Sequence, residues 1–416
     1  MVNKIDVLFV HNNFPGQYKL LVQHLSKLPN FRVFAIGSQT SAEQAGVVIQ
    51  RYTLATGELE ATHSFARRFD LECRRAEQVI YAANVLKLAG MLPKMIFVHP
   101  GWGEALPLRQ IFPDARICVY CEFYYHAQGA DVGFDPELGK FGVDGLTRIK
   151  LRNAATLLAL ADADVGIAPT DWQRSLFPPE FRPKIRVIHD GIDTTKLKPA
   201  GSAFTHRQVG RAFQTGDEIL TFVARNLEPY RGFHTFMRAL PRILAERPNA
   251  HVCIAGGTDV SYGSPPPGAD NWKTVLIDEI RGRIDLGRVH FLGQLPYEQL
   301  IALLRVSRVH TYLTYPFVLS WSVLEALALE CIVVASDTPP VREVIKNSEN
   351  GFLVSFFDPN ALADKVIEIL AAPDQFSSVK KRARASVIKH YCFKRKSLRQ
   401  FMKLIKELVP DVSLNA

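Results

Sequence analysis

The chain has 416 residues and a formal net charge of +9 at pH 7; 47% of its residues are hydrophobic and 22% are charged. This apolar fraction excludes a largely disordered chain, and the length favours two or three domains. The positive charge suits an anionic partner, such as a nucleotide diphosphate, an anionic lipid surface or a nucleic acid, and charge alone does not distinguish among these.

The start of the chain predicts no signal peptide, because residues 5–10 form an apolar strand that contains Asp6. The longest apolar stretch, residues 154–169, contains two aspartates and is too polar to span a bilayer. We therefore expect a cytoplasmic protein, with peripheral contact at the inner face of a membrane as an open alternative. The cysteines within apolar runs are predicted to be reduced and buried, and they are Cys118, Cys121, Cys253 and Cys331.

Short apolar strands alternate with amphipathic helices, which is typical of parallel sheets covered on both faces. The strands predicted in the first half are residues 5–10, 31–37, 95–99, 115–121, 165–169 and 185–189. After a polar linker at 193–202 the pattern restarts, with strands predicted at 218–225, 251–256, 289–293, 309–315, 332–336 and 352–355. The sequence thus predicts an α/β protein of two Rossmann-like, doubly wound domains, residues 1–194 and 195–385, that face each other across a ligand-binding cleft.

The last segment, residues 386–416, is predicted to form a basic helix that packs back towards the N-terminal domain. No acidic residue occurs between Lys380 and Glu407, and apolar residues such as Phe401 and Ile405 recur at helical spacing. We favour a packed helix with a solvated basic face. The alternative is an amphipathic helix that contacts anionic lipid.

Loops that follow predicted strands contain the candidate binding residues. Gly16 lies at a strand-to-helix turn, where backbone can approach an anion, although a plain turn explains it equally well. The dinucleotide fingerprint and the P-loop are absent from the sequence, which disfavours NAD. Arg225 and Arg231 lie six residues apart on the first loop of the second domain. Two cations there can neutralise a diphosphate leaving group without a metal ion.

A second loop of that domain precedes a helix that contains Glu325. Backbone amides at such a helix start would point at a phosphate, and Glu325 can accept hydrogen bonds from ribose hydroxyls. An acid that complements the helix dipole is the alternative interpretation of Glu325. The loop residues concerned are Val318, Leu319, Ser320, Trp321 and Ser322.

Five segments, in this order, resemble the retaining glycosyltransferases of family 4 (glycosyl transferases group 1), whose fold is GT-B. They are ADVGIAPTDWQ at 163–173, VIHDGID at 187–193, RNLEPYRG at 225–232, FLG at 291–293 and LEALA at 324–328. The resemblance covers nearly the whole chain. It implies that Arg225 and Arg231 bind the donor diphosphate and that Glu325 contacts the ribose. The matches to the phosphate loop, the base contact and the first-loop glycine are residues 318–322, Gly293 and Gly16.

The sequence departs from the family pattern at three places. Arg231 stands where the family usually has Lys, and Phe317 stands where it has a Glu that contacts donor-sugar hydroxyls. The family's catalytic histidine has no secure counterpart, and Glu122 and His126 are both candidates for its place.

Another loop mixes aromatic, imidazole and carboxyl groups in a way that suits an acceptor sugar. Its residues are His99, Trp102 and Glu104, and a turn around a packed Trp is the alternative. Asp162 and Asp164 match the D-x-D motif of metal-dependent glycosyltransferases, but they end a helix, so we expect a structural role and no metal or other cofactor.

The resemblance implies transfer of a hexose-type sugar, with retention, from a nucleotide diphosphate, a UDP-sugar being favoured. The expected acceptor is a glycan, a lipid-linked molecule or a protein, in surface polysaccharide or glycoconjugate synthesis. One alternative is a nucleotide-sugar-binding protein without activity, and another is a phosphorylase on the same fold. A role with nucleic acid rests on charge alone and is disfavoured.

Overall fold

The computed structural model describes residues 4–54, 61–139 and 141–410. It divides into two compact units, Met1–Gly191 with Phe393–Ala416, and Ile192–Cys392. The chain passes from the first unit to the second between Gly191 and Ile192, where the sequence placed the change at residues 194 and 195. The Ile192 amide donates to the Tyr391 carbonyl of the second unit, at 2.7 Å. The return to the first unit occurs at Phe393, later than the predicted residue 386.

The N-terminal unit is a doubly wound α/β structure. Its seven strands are all parallel, in the order β3-β2-β1-β4-β5-β6-β7. The strands are β1 (Ile5–Val10), β2 (Phe31–Ser38), β3 (Val47–Tyr52), β4 (Pro93–Val98), β5 (Arg116–Tyr120), β6 (Val165–Ala168) and β7 (Ile185–Val187). The helices before residue 191 are α1 (Lys19–Leu25), α2 (Arg67–Leu88), α3 (Leu108–Ile111), α4 (Val143–Leu151), α5 (Ala154–Asp162) and α6 (Asp171–Leu176).

The C-terminal unit has a six-stranded parallel sheet and a small hairpin. The hairpin is β8 (Ala203–Phe204) with β9 (Phe213–Gln214), and the sheet has the order β12-β11-β10-β13-β14-β15. Its strands are β10 (Ile219–Asn226), β11 (His251–Gly257), β12 (Val289–Gly293), β13 (Val309–Tyr312), β14 (Ile332–Ser336) and β15 (Phe352–Val354). The helices are α7 (Phe233–Glu246), α8 (Trp272–Ile280), α9 (Tyr297–Val306), α10 (Trp321–Ala328), α11 (Pro339–Val344), α12 (Pro359–Ala371) and α13 (Ser377–His390).

The two-domain α/β prediction is confirmed, and all twelve predicted strands are present. The strands that were not predicted are β3 and the two strands of the hairpin. Strand β3 contains Gln50 and Arg51 and lies at the sheet edge next to β2, where one side faces solvent. Such an edge strand lacks the continuous apolar run of a central parallel strand.

The C-terminal segment completes the core of the N-terminal unit. Helix α14 (Leu398–Leu408) buries Phe401, Leu404 and Ile405 in the same apolar cluster as Val7 and Phe97. The apolar side of this helix is therefore buried within the unit, and its basic side chains remain exposed. Within the described residues, no helix is both long and apolar enough to cross a membrane.

The predicted buried thiols lie inside the sheets. Cys118, Cys121, Cys253 and Cys331 are buried and form no disulfide. Asp164 of the D-x-D sequence pairs with Arg109 at 2.6 Å and Arg116 at 2.9 Å, and accepts the Ile117 amide at 2.9 Å. Its carboxylate therefore holds the start of β5, which is a structural role.

Candidate functional site

The N-terminal unit brings two histidines together at the carboxyl end of its sheet. Strand order reverses between β1 and β4, which are neighbours, so the residues that follow them leave the sheet side by side. His11 follows β1 and His99 follows β4, and their ring centroids lie 5.3 Å apart. The ring of Trp102 packs against both, 5.2 Å from His11 and 4.4 Å from His99.

A hydrogen-bonded chain connects both histidines to Glu122. The Asn13 amide donates to His11 Nδ1 at 2.9 Å, and the Gly101 amide donates to His99 Nδ1 at 3.1 Å. Each neutral ring therefore carries its proton on Nε2.

From there the donors converge on one carboxylate. His11 Nε2 donates to Gln17 Oε1 at 2.7 Å, and Gln17 Nε2 donates to Glu122 Oε1 at 2.7 Å. His99 Nε2 lies 3.2 Å from Glu122 Oε2. Every donor in the chain therefore points towards Glu122, and this arrangement favours its ionised form.

The acidity of these groups follows from their surroundings. Burial lowers the pKa of His11 to about 3, so the ring is neutral near pH 7. Burial alone would raise the pKa of Glu122, but the hydrogen bonds from His99 and Gln17 outweigh it and keep the pKa below its usual value. Because the Glu122 side chain is 30% exposed, this anion is available to a ligand.

Gly16 is required by the packing of His11. Its φ is +48°, and a Cβ at this position would lie 2.4 Å from His11 Nε2. The glycine at the first loop therefore makes room for an imidazole, and the approach of this loop to an anion stays a prediction.

Two other predicted residues of this unit lie apart from the chain of hydrogen bonds. His126 Nε2 donates to the Leu176 carbonyl at 2.6 Å. Glu104 is fully buried, accepts the Tyr52 hydroxyl at 2.8 Å, and has a pKa raised by burial. Both side chains are thus engaged by protein groups, and only Glu122 of the two candidates for the catalytic position belongs to the hydrogen-bonded chain.

The C-terminal unit holds Arg231 rigidly beside the loop before α10. Arg231 follows β10 and is 7% exposed. Its Nη1 donates to Thr314 Oγ1 at 2.8 Å and to the Val318 carbonyl at 3.0 Å, both just after β13, the neighbour of β10. Arg225, at the end of β10, is exposed. One cation is thus fixed and the other is accessible on the same loop.

Phe317 forms part of an aromatic wall around Arg231. The Arg231 guanidinium lies 5.1 Å from the Tyr262 ring and 5.6 Å from the Phe317 ring, which are cation–π distances. Phe317 also contacts Tyr262 at 5.0 Å and Tyr230 at 5.1 Å between centroids. Phe317, where the family usually has Glu, is therefore packed among these rings. Because a planar guanidinium stacks on aromatic rings, Arg231 suits these surroundings better than the lysine usual in the family.

The segment predicted to bind an anion, Val318 to Ser322, contains the start of α10. Its first three residues precede the helix, and Trp321 and Ser322 are the first two residues of the helix. Ser320 is the N-cap, and its hydroxyl oxygen accepts the Ser322 amide at 3.3 Å. Leu319 is partly buried and Trp321 is 44% exposed. In the helix, Glu325 is 7% exposed and accepts the Tyr297 hydroxyl at 2.9 Å. Gly293, at the end of β12, has a φ of +70° and open space where a Cβ would be.

Glu228 is a residue that the sequence did not single out. It lies between Arg225 and Arg231, is fully buried, and accepts the amides of Ser261, Tyr262 and Gly263 at 2.9–3.3 Å. Burial raises its pKa, and these amides oppose the rise. The carboxylate therefore anchors the loop whose Tyr262 ring covers Arg231.

Replacing Glu228 with Ala removes the acceptor for the three loop amides. Hydrogen bonds to a charged group contribute about 1.5–3 kcal/mol, so we expect these amides to exchange roughly 10- to 100-fold faster. Hydrogen–deuterium exchange on a peptide that spans the loop measures this effect. Glu279→Ala, at a half-exposed carboxylate that pairs with Arg238, is the control. Unchanged exchange in the Glu228 variant would show that the loop does not depend on this anchor.

His11 makes the protein less stable in acid. The unfolded chain takes up a proton at this histidine near pH 6.5, whereas the folded chain does so only near pH 3. The unfolded state therefore binds the extra proton between these values, and the free energy of unfolding falls by about 1.4 kcal/mol per pH unit as pH decreases.

We expect His11→Asn to flatten the slope of unfolding free energy against pH between about pH 6 and 4 by that amount. Urea denaturation, followed by fluorescence, measures the slope, and His63→Asn at an exposed position is the matched control. An unaltered slope in His11→Asn would mean that the folded ring titrates as it does in the unfolded chain.

Two family models match this chain. The model described as "Glycosyl transferase family 4 group" matches residues 29–197, and the one described as "Glycosyl transferases group 1" matches residues 206–386. A glycogen synthase from Mycobacterium tuberculosis (strain ATCC 25618 / H37Rv) is 29% identical over 204 residues, which are 49% of this chain and 43% of that protein. A D-inositol 3-phosphate glycosyltransferase from Corynebacterium urealyticum is 24% identical over 54% of this chain and 50% of that protein. The chain spans about half the length of the curated relatives it matches.

Solved structures are similar over nearly the whole chain. Sucrose-phosphate synthase from Thermosynechococcus elongatus has a TM-score of 0.70 and 17% identity, and the match covers 98% of this chain and 100% of that one. Anabaena Alr3699/HepE in complex with UDP-glucose has a TM-score of 0.64 and 16% identity, over 96% of this chain and 99% of that one. The solved structures show the fold, and the two family models, which together span most of residues 29–386, establish that the chain belongs to the GT-B glycosyltransferases of group 1.

Proposed function

We propose that this protein transfers a hexose-type sugar from a nucleotide diphosphate to an acceptor hydroxyl, with retention of configuration and without a metal ion. The C-terminal unit binds the donor, for which UDP is the favoured nucleotide, and the N-terminal unit binds the acceptor. The observation that carries the proposal is the pair of cations at and just beyond the end of β10, with Arg231 held by Thr314 and Val318 and Arg225 exposed.

The donor diphosphate binds to Arg225, Arg231 and the amides that precede α10. As transfer proceeds, the bond from the anomeric carbon to the diphosphate oxygen breaks, and the electron pair stays on that oxygen. Cations fixed before the reaction stabilise this charge without reorganising, which supports a role for the rigid Arg231. Glu325 lies about one turn into α10, where it accepts the Tyr297 hydroxyl. It binds the ribose when that hydroxyl moves away.

The acceptor hydroxyl binds to Glu122. Its oxygen bonds to the anomeric carbon, and its proton leaves with the departing diphosphate. A carboxylate that three polar side chains hold in its ionised form is suited to accept a hydroxyl hydrogen bond. Trp102, which packs on both histidines, offers an aromatic face for a sugar ring. The acceptor class proposed is a glycan, a lipid-linked molecule or a protein in glycoconjugate or surface polysaccharide synthesis.

A second candidate function is nucleotide-sugar binding without transfer. Phe317 favours it, because this side chain packs against Arg231 and Tyr262 where a carboxylate would contact the donor sugar. The two functions differ in one outcome: the binding protein takes up nucleotide sugar but releases no free nucleotide with any acceptor.

Changes at the two arginines test the donor site. We expect Arg225→Ala to lower kcat/KM about 100-fold, because it removes a cation from the developing diphosphate charge. Arg231→Lys keeps the charge but loses the planar stacking and the bond to Thr314, so we expect a drop of about 10-fold. The measurement is nucleotide release from a donor that the wild type uses.

The control for these variants is Arg242→Ala on α7, whose guanidinium pairs with Glu246 and Asp364. It should keep wild-type turnover, and all variants should keep the wild-type unfolding midpoint within a few degrees. Full turnover in a folded Arg225→Ala/Arg231→Ala double variant would exclude the proposed role of both arginines.

A further inference from the structure

One surface of the N-terminal unit is dense in exposed cations. The π-helical turn Phe393–Ser397 and helix α14 expose six of them: Lys394, Arg395, Lys396, Arg399, Lys403 and Lys406. The sequence has no Asp or Glu from residue 375 to residue 406. Glu407, the first acid after this stretch, already pairs with Arg186 at 2.9 Å and lies 3.9 Å from Lys403.

The basic surface extends onto the end of helix α1. Helices α1 and α14 pack in the same apolar cluster, through Leu21 and Leu25 of α1 and Leu404 of α14. Burial lowers the pKa of His24, and repulsion from Lys27 and Lys394 lowers it further, so both lysines lie near this histidine of α1. The chain also has no acid between Asp6 and Glu43, so α1 itself carries no negative charge.

We propose that this basic surface, made of Lys27 and the six cations of the C-terminal segment, docks the protein on a bilayer that contains anionic phospholipid. The contact is electrostatic and involves no insertion, because Phe401, Leu404 and Ile405 are already buried in the core. A cluster of four to eight basic residues is the charge density that anionic lipid headgroups attract.

The composition of the surface favours lipid over nucleic acid. Four of the six cations in the C-terminal segment are lysines, whose flexible ammonium groups suit a mobile charged surface, whereas bidentate phosphate recognition favours arginine. Three aromatic residues lie in or next to α1 and the C-terminal segment, namely Tyr18, Phe393 and Phe401. They are only 2–6% exposed, so bases could not stack on their rings.

Vesicle co-sedimentation of the full chain tests this docking without any activity measurement, so its failure is distinct from failure of the proposed transfer reaction. The probes are phosphatidylcholine vesicles with or without about 30 mol% phosphatidylglycerol, at about 50 and 500 mM NaCl. We expect binding only to the anionic vesicles and release at the higher salt concentration.

The variant K394Q/K396Q/R399Q/K403Q removes four clustered charges. Each basic residue near an anionic surface contributes roughly 5-fold to the binding constant, so four of them together contribute up to about 600-fold. Because Lys27, Arg395 and Lys406 remain, we expect affinity to fall by at least ~20-fold. The matched variant K198Q/R207Q/R283Q/K346Q removes four exposed charges scattered over the C-terminal unit and should retain vesicle affinity within about 2-fold.

Three results would overturn the proposal. The wild type could ignore anionic vesicles at low salt, or the two variants could lose affinity equally, which would indicate net charge and no specific surface. A single-stranded oligonucleotide could also bind this surface more tightly than the vesicles do and displace them, which would identify a nucleic-acid partner. Circular dichroism melting of both variants ensures that a loss of binding is not a loss of fold.

Discussion

In each unit, strand order reverses between the first strand and the fourth. The chain leaves β1 towards β2 on one side and β4 towards β5 on the other, and β10 and β13 repeat this arrangement. Two loops therefore separate at one point of each sheet edge and leave space for side chains. His11 and His99 meet at the first reversal, and Arg231 meets Thr314 and Val318 at the second.

Backbone amides fix the chemistry at both reversals. In the N-terminal unit, two amides set the tautomers of His11 and His99 so that both rings donate hydrogen bonds. In the C-terminal unit, three amides satisfy Glu228, which would otherwise be a costly buried charge. The two candidate sites therefore differ in charge. Glu122 in the N-terminal unit is a carboxylate that suits a hydroxyl, whereas Arg225 and Arg231 in the C-terminal unit are cations that suit a phosphate.

Sequence periodicity predicted the sheets because a buried parallel strand is apolar on both faces, whereas the edge strand β3 lacks this signal. Motif order predicted Arg225, Arg231 and Glu325, since these residues follow strands at fixed spacing. The partners of Glu122 could not be predicted in this way, because Gln17 lies 105 residues away in sequence. Glu228 was missed because only the structure brings the loop at 261–263 to its carboxylate. The basic C-terminal segment was evident from the sequence. Burial of its apolar side chains in the core of the N-terminal unit depends on tertiary packing.

We propose above all that Arg225 and Arg231, at and just beyond the end of β10, stabilise a departing nucleotide diphosphate without a metal ion. The most direct test measures free nucleotide released from UDP-, GDP-, dTDP- and ADP-sugars, with and without a chelator, in the presence of candidate acceptors. The account predicts release from one donor, with UDP-sugars favoured, at a rate that the chelator leaves unchanged. Release that the chelator abolishes would contradict metal independence, and tight donor binding without release from any of them would identify a nucleotide-sugar-binding protein in place of a transferase.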